Sequence, residues 1–441
     1  MLMMKFSNVK KILFFVTFSS VWSPIDLKSE PLSCETSAFI ALLMNAENGK
    51  VLFAKNAEIP LYPASTTKVA TALYALYQKG DSLDQLVTVS ADAVSAVPPA
   101  IRRSGKHPSY RLEFGGTLMG LKTGEQVDLK SLLYGLMLPS GNDAANVIAE
   151  MVSGSTSQFV LDLNAFLKKI GCKNTCFKNP HGLPDEDHIT TAKDLAIMAQ
   201  VGMKDPVFRQ IVSSTRYLKP QTNKQPEVVL LQHNSLVKPG SKHFYPYATG
   251  VKIGYTIRAG HTIVASAEKG DRFLVAVVCH RESAEQRYRS TMQLFEAAFQ
   301  EPKQIRTLFS EAHDVFQEKV EGAKDVLKAG LSQDLVVSFY PSEEKNFYSH
   351  IKWDDFSLPI ACKKKVGEMQ IFDDRGVLYE TAPLFAMKAV EPTFAYKMQK
   401  ITKQGKKWLQ KHRVYIAYLM AFVLLMGAVW KVVWRKKERK V

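Results

Sequence analysis

The stretch Pro63-Ala-Ser-Thr-Thr-Lys68 decides how the rest of this chain is read. Ser65 and Lys68 stand three positions apart, a spacing that puts two side chains one turn apart on the same helix face. The run that follows, VATALYALYQ, places apolar Val69, Ala72, Leu73, Leu76 and Tyr77 at helical intervals. Ser65 therefore opens a buried helix whose N-terminal dipole favours a developing oxyanion, with Lys68 beside the hydroxyl. A serine becomes a useful nucleophile only when a neighbouring base takes its proton. A lysine can do this if burial or another cation lowers its pKa. S-x-x-K is equally the signature of a capped helix carrying a surface lysine, so the surrounding chain has to choose between the two.

The chain has 441 residues, enough for two or three domains; 46% hydrophobic and 23% charged residues describe a globular protein. Its net charge of +16 suggests nucleic acid until the charges are located. Residues 401–441 hold eleven Lys/Arg against one Glu, and the first 23 residues add three lysines, which leaves only +3 for everything between. The basicity belongs to the ends, and a nucleic-acid partner loses its support.

Those ends read as membrane signals. Lys5, Lys10 and Lys11 precede ILFFVTFSSVW, the layout of a signal peptide over residues 1–23. Val414 to Trp430, extended to Trp434, is long and apolar enough to span a bilayer, and Tyr415, Tyr418, Trp430 and Trp434 suit its interfaces. Residues 396–413 make a polar, basic stalk, 414–434 a transmembrane helix and 435–441 a basic cytoplasmic tail. The body is thus expected outside the cytoplasm. Five cysteines, Cys34, Cys172, Cys176, Cys279 and Cys362, are too few and odd in number for a disulfide framework, although Cys172 and Cys176 are close enough in sequence to pair. His181 and His188 have no zinc-like spacing, and no metal or other cofactor is expected.

Between the ends, two apolar runs flank Asn48-Gly49 as a hairpin. The region through PPAIRRSGKHPSY reads as loop. In LKSLLYGLMLPSGNDAANVIAEMV, Pro139 and Gly141 break two helices apart, so Ser140 and Asn142 sit at a tight bend, either facing a cleft or capping the second helix. A helix over 156–170 follows, and Thr190 or Thr191 caps another near Asp194. YATGVKIGYTIRAGHTIVASAEKGDRFLVAVVCH reads as two strands joined at Glu268–Asp271, with Lys252 near the start of the first. SAEQRYRSTMQLFEAAF is an amphipathic helix. The expected architecture is α+β, an antiparallel sheet with a helical subdomain over 35–302, then a small β-rich domain over 303–395.

STTK (Ser65–Lys68), SGN (Ser140–Asn142) and KIG (Lys252–Gly254) follow the order of the penicillin-interacting serine enzymes. With NGKVLFAKNA, LPSGNDAA, NPHGL, TTAKDLA and KIGYT…AG…VASA, residues 35–395 resemble the low-molecular-mass D-alanyl-D-alanine carboxypeptidases, most closely up to residue 300. A second KTG at Lys122–Gly124 is a decoy, because it precedes SGN. The resemblance implies a β-lactamase/transpeptidase-like fold and a peptidoglycan stem peptide as substrate, with β-lactams as covalent inhibitors. Ser65 is then the nucleophile, Lys68 its base and Ser140 a proton relay. Asn142 holds the substrate amide, Lys252 keeps Lys68 neutral, the Ser65 and Tyr255 N–H groups form the oxyanion hole, and Arg287 helps bind the terminal carboxylate. It also implies a bacterial inner-membrane protein with its catalytic domain in the periplasm.

One residue departs from the family pattern. The usual K-T-G is here Lys252-Ile253-Gly254, and an isoleucine cannot hydrogen-bond a carboxylate as the threonine does. The expectation is weakened carboxylate recognition with the nucleophile intact. Competing readings are a β-lactamase, disfavoured because no E-x-x-L-N-type water-activating motif is present; a transpeptidase or endopeptidase using the same residues; and a non-catalytic peptidoglycan-binding scaffold.

Overall fold

A computed structural model describes residues 23–25, 30–343, 346–373 and 376–438. The signal peptide expected over 1–23 lies almost wholly outside the described residues, as does the end of the basic tail. The chain divides into two compact units, residues 30–304 with 340–343, and residues 305–339 with 346–438 and the short strand Ser23–Ile25.

The first unit is built on a five-stranded antiparallel sheet. Strands β1 (Ile40–Asn45) and β2 (Val51–Lys55) form the hairpin at Asn48-Gly49. β3 (Ala248–Thr256), β4 (Gly260–Lys269) and β5 (Arg272–Arg281) complete it in the order β3-β4-β5-β1-β2. The sequence expectation of two strands here is corrected to three. Thr256 Oγ1 accepts the Ala259 N–H in a turn that splits the long alternating run, a break hidden by the apolar Ile257 and Ala259.

Both faces of this sheet are covered, so β5 is buried from Arg272 to Cys279 and reads as a continuous apolar run. Ile40, Leu42, Val264, Val275 and Val277 join the core beneath the helical part. Their alternates Ala41, Leu43, Ile263, Ala276 and Val278 join a second core with helix α7 (Ala284–Phe299).

The helical part comprises α1 (Thr67–Lys79), α2 (Leu129–Met137), α3 (Asn142–Ser153), α4 (Thr156–Lys169), α5 (Ala192–Gly202) and α6 (Pro206–Ser213). Local chemistry sets their ends. Asp128, Ser155, Thr191 and Asp205 cap α2, α4, α5 and α6 with their side chains, and Gly154 ends α3 at φ +78°. A short helix, Pro99–Arg103, stands in the stretch expected to be loop.

The second unit is a six-stranded antiparallel sheet whose longest members are β6 (Phe347–Trp353), β7 (Lys365–Asp373) and β8 (Leu378–Ala386). Where a polar stalk was expected, α8 (Phe394–Lys411) is an amphipathic helix, and α9 (Arg413–Glu438) carries the apolar span. All five cysteines are free thiols, Cys172 buried and Cys176 exposed, so they are not paired.

Candidate active site

Ser65 sits in a single 3-10 turn, Ala64–Thr66, that runs directly into α1. Ala64 holds φ +52°, a conformation costly for a residue with a Cβ, and Ser140 at the α2–α3 bend holds φ +67°. Two strained non-glycine residues therefore bracket one small volume, which is where stored strain usually has a use.

Two glycines let backbone approach the turn that carries Ser65. Gly182, at φ +90°, belongs to the NPHGL turn, and a Cβ there would land on the Ala64 carbonyl. A Cβ on Gly254 would stand 2.9 Å from the Ser65 backbone nitrogen. The turn is braced from within, since Asn179 Oδ1 accepts the N–H groups of His181 and Gly182 at 3.3 and 2.7 Å.

Lys68 is fully buried, and its Nζ has three neighbours: Ser65 Oγ at 3.0 Å, Asn142 Oδ1 at 2.6 Å and the His181 carbonyl at 2.8 Å. Burial, then the charge of Lys252, hold its pKa well below the ordinary lysine value, while Asp143 opposes the shift. Lys252, on edge strand β3, is 1% exposed and donates to the Ile253 carbonyl at 3.2 Å. Burial and the nearby Arg287 lower its pKa to about 7.

Of the sequence-predicted residues, Ser65, Lys68 and Asn142 are in direct hydrogen-bond contact. Ser140 is buried two residues before Asn142, and its Oγ has no partner among the described residues. The Tyr255 ring is exposed against His261, with its backbone in β3. Arg287 lies beneath the sheet, 4% exposed, and donates through Nη1 to the carbonyls of Gly254 and Thr262 at 3.2 and 3.4 Å. Ile253 is partly buried against the core of α7.

Three contributors were not assigned roles from sequence. The His181 carbonyl and Gly182 lie in NPHGL, whose unusual Asn-Pro-His-Gly order is the only signal of a tight turn. Asp143 is 1% exposed, and its carboxylate accepts the backbone N–H groups of Met119, Gly120 and Leu121 at 2.7, 2.8 and 3.0 Å. Those bonds pin the loop whose Thr117 carbonyl accepts the Asn142 N–H at 2.9 Å. His188 is structural: Nδ1 accepts the Lys178 N–H, so Nε2–H faces Thr67 Oγ1 at 2.9 Å, and burial lowers its pKa to about 3.

The arrangement is a partly exposed serine backed by a buried lysine at a helix start, with a second buried cation on an edge strand. It suits nucleophilic attack on a carbonyl next to an anionic group.

Comparison with known proteins agrees. Residues 27–283 match the family described as D-alanyl-D-alanine carboxypeptidase. The D-alanyl-D-alanine carboxypeptidase DacF of Bacillus subtilis is 32% identical over 77% of this chain and 83% of its own length. Among solved structures, penicillin binding protein 5 from Haemophilus influenzae is 25% identical, covers 81% of this chain and 99% of its own, and has a TM-score of 0.53. The DD-transpeptidase of Streptomyces K15 is 27% identical over 60% of this chain and 98% of its own, with a TM-score of 0.52.

Proposed function

The chain belongs to the D-alanyl-D-alanine carboxypeptidase family of serine peptidases, and from that premise we propose how its residues divide the work. The protein is a penicillin-binding D-alanyl-D-alanine carboxypeptidase. Ser65 Oγ attacks the carbonyl between the two D-alanines of a stem peptide while Lys68 Nζ takes the hydroxyl proton. The new C–O bond gives a tetrahedral oxyanion held by the Ser65 and Tyr255 N–H groups. The C–N bond then breaks, and Ser140 passes a proton to the departing D-alanine nitrogen. Water hydrolyses the acyl-enzyme with Lys68 again as base. Asn142 holds the substrate amide, and Lys252 with Arg287 supplies the positive field for the terminal carboxylate. β-Lactams acylate the same oxygen.

The observation that carries this reading is the fully buried Lys68 Nζ at 3.0 Å from the Oγ of a partly exposed Ser65. The Lys68 contacts to Asn142 and His181 add to it. A neutral amine has two N–H donors and one lone pair, so donors on Asn142 Oδ1 and the His181 carbonyl leave the lone pair for the serine proton.

Attachment to the membrane rests on α9. Its apolar window Arg413–Lys431 is 19 residues long and unburied. At about 1.5 Å per residue it covers about 28 Å, close to a bilayer core of about 30 Å. The proposed placement is a single pass in a bacterial inner membrane, with the catalytic unit on the outer side.

The test is D-alanine release from a muropeptide ending in D-Ala-D-Ala, with Ser65→Ala alongside. Release that vanishes in the variant supports the assignment, and peptidoglycan binding without any release would favour the scaffold. Likeness to the Streptomyces K15 transpeptidase favours a second reading, transfer to an amine acceptor, which a cross-linked product in the same assay would reveal.

A further inference from the structure

Strand β3 continues past the nucleophile. Gly254 lies against Ser65, and the strand runs on through Tyr255 and Thr256 to a turn at Ile257, which is 94% exposed. β3 is the edge of its sheet, so one side of its backbone is free to pair with an extended peptide. At its far end is a cavity of about 590 Å³, with Phe39, Tyr255, Ile257, Arg281, Glu282 and Gln286 in its lining.

Two residues of its lining carry a buried polar atom with no partner among the described residues, Arg281 Nε and Gln286 Oε1, and a third such atom, His261 Nδ1, lies behind Tyr255. They belong together. His261 pairs with Arg281 in the β4–β5 register, its ring lies 4.4 Å from that of Tyr255, and Gln286 is in the first turn of α7. Arg281 is fixed in place, because Nη1 and Nη2 donate to the carbonyl and Oγ of Ser37 at 2.6 and 3.2 Å. Its Nε is the guanidinium nitrogen left with no partner among the described residues. Folded proteins pair nearly all buried polar groups, and two unpaired ones in the wall of one opening suit groups held ready for a ligand.

We propose that this cavity is a subsite for the stem peptide two to three residues upstream of the scissile bond, and that it takes an anionic group there. The inference rests on the carboxypeptidase reading, which also fixes the direction. Only one residue follows the bond that is cut, so an occupant farther along β3 has to be upstream. From Gly254 to Ile257 is about 10 Å at a strand rise of about 3.3 Å per residue. The Nε–H of Arg281 recognises a carboxylate, Gln286 Oε1 accepts an N–H, and Phe39, Tyr255 and Ile257 wall the chain.

The test compares three substrates on the full-length protein in detergent. They are a stem pentapeptide ending in D-Ala-D-Ala, the same peptide with its upstream carboxylates amidated, and an N-acetylated tripeptide lacking the two upstream residues. The pentapeptide is expected to have a KM about tenfold lower than the other two, the size of one charge-assisted hydrogen bond. Gln286→Leu and Phe39→Ala should each erase that advantage by raising KM for the pentapeptide alone, leaving tripeptide turnover and penicillin acylation within about twofold. An equal loss on all substrates, or an unchanged preference in both variants, would overturn the subsite. Wild-type protein that hydrolyses none of the three would overturn the carboxypeptidase reading instead.

Discussion

Lys68 Nζ is nearer to Asn142 Oδ1 than to Ser65 Oγ, 2.6 Å against 3.0 Å. The base is therefore held by a residue 74 positions away in the chain, and its serine contact is the one left loose enough to change as a proton moves. Any disturbance of α3 should reach the nucleophile through this bond.

The two lysines set the pH dependence. Lys68 works only without its proton, so acylation by penicillin is expected to rise with pH through a pKa well below lysine's ordinary value. In the proposed role Lys252 meets the substrate carboxylate as a cation, and its charge is lost as pH rises through about 7, so a falling limb is expected there. In Lys252→Ala a lowering influence on Lys68 is gone, so the rising limb should move to higher pH. A stopped-flow acylation profile that moved it lower would contradict the assignment.

Gly182→Ala should damage both stability and chemistry. The new Cβ would strike the Ala64 carbonyl, and the residue would also have to hold φ +90°. Such conformations cost about 1–3 kcal/mol before any clash is counted. Thermal unfolding should report a lowered Tm, and acylation should slow because the turn carrying Ser65 is displaced.

Asp143→Ala leaves three backbone N–H groups of residues 119–121 without their carboxylate. Only the Leu121 bond is buried and water can reach the other two, so at about 1–3 kcal/mol for a buried donor left unsatisfied a loss of about 1–3 kcal/mol is expected in urea unfolding. Acylation should fall by about tenfold, the size of one weakened contact to Asn142. Full stability with lost acylation would mean that Asp143 acts on the lysine charge alone.

Ile253 carries two opposed expectations. A threonine there should restore a hydroxyl for carboxylate recognition and speed penicillin acylation by about tenfold. The side chain is partly buried against the α7 core, so the same change should cost about 1 kcal/mol of packing. Equal or slower acylation in Ile253→Thr would assign the isoleucine to packing.

Ending the chain after Pro392 removes α8 and α9. The protein should then leave the membrane fraction on cell lysis while acylation by penicillin continues. Retention of the shortened chain with membranes would place the attachment elsewhere.

Much of the site was readable because its motifs are local. Ser65 and Lys68 share one helix face, and the Pro139–Gly141 break announces the bend that carries Ser140 and Asn142. The hairpin α6-to-β3 region was less legible: α6 is only eight residues, and the short hairpin Arg216–Lys219 with Val228–Leu231 exposes most of both strands, giving no burial pattern to read. The turn after Thr256 was missed for the opposite reason, since exposed Ile257 looks like part of a strand.

By itself the sequence determined the order of the motifs, the β1–β2 hairpin and the β-character of the run over 247–280, the helix periods and the apolar length of α9. These are properties of neighbouring residues, fixed by backbone geometry and by which side chains avoid water. Only the tertiary structure decided what the charges do. Lys68 and Lys252 are 184 positions apart and ordinary cations on paper. Folding buries both and sets Lys252's charge against Lys68, a desolvation and a Coulomb repulsion that no single segment contains. The same fold turns the backbone of His181 and the carboxylate of Asp143 toward the site, because a carbonyl or a pinned loop acquires its role only when distant chain is packed against it.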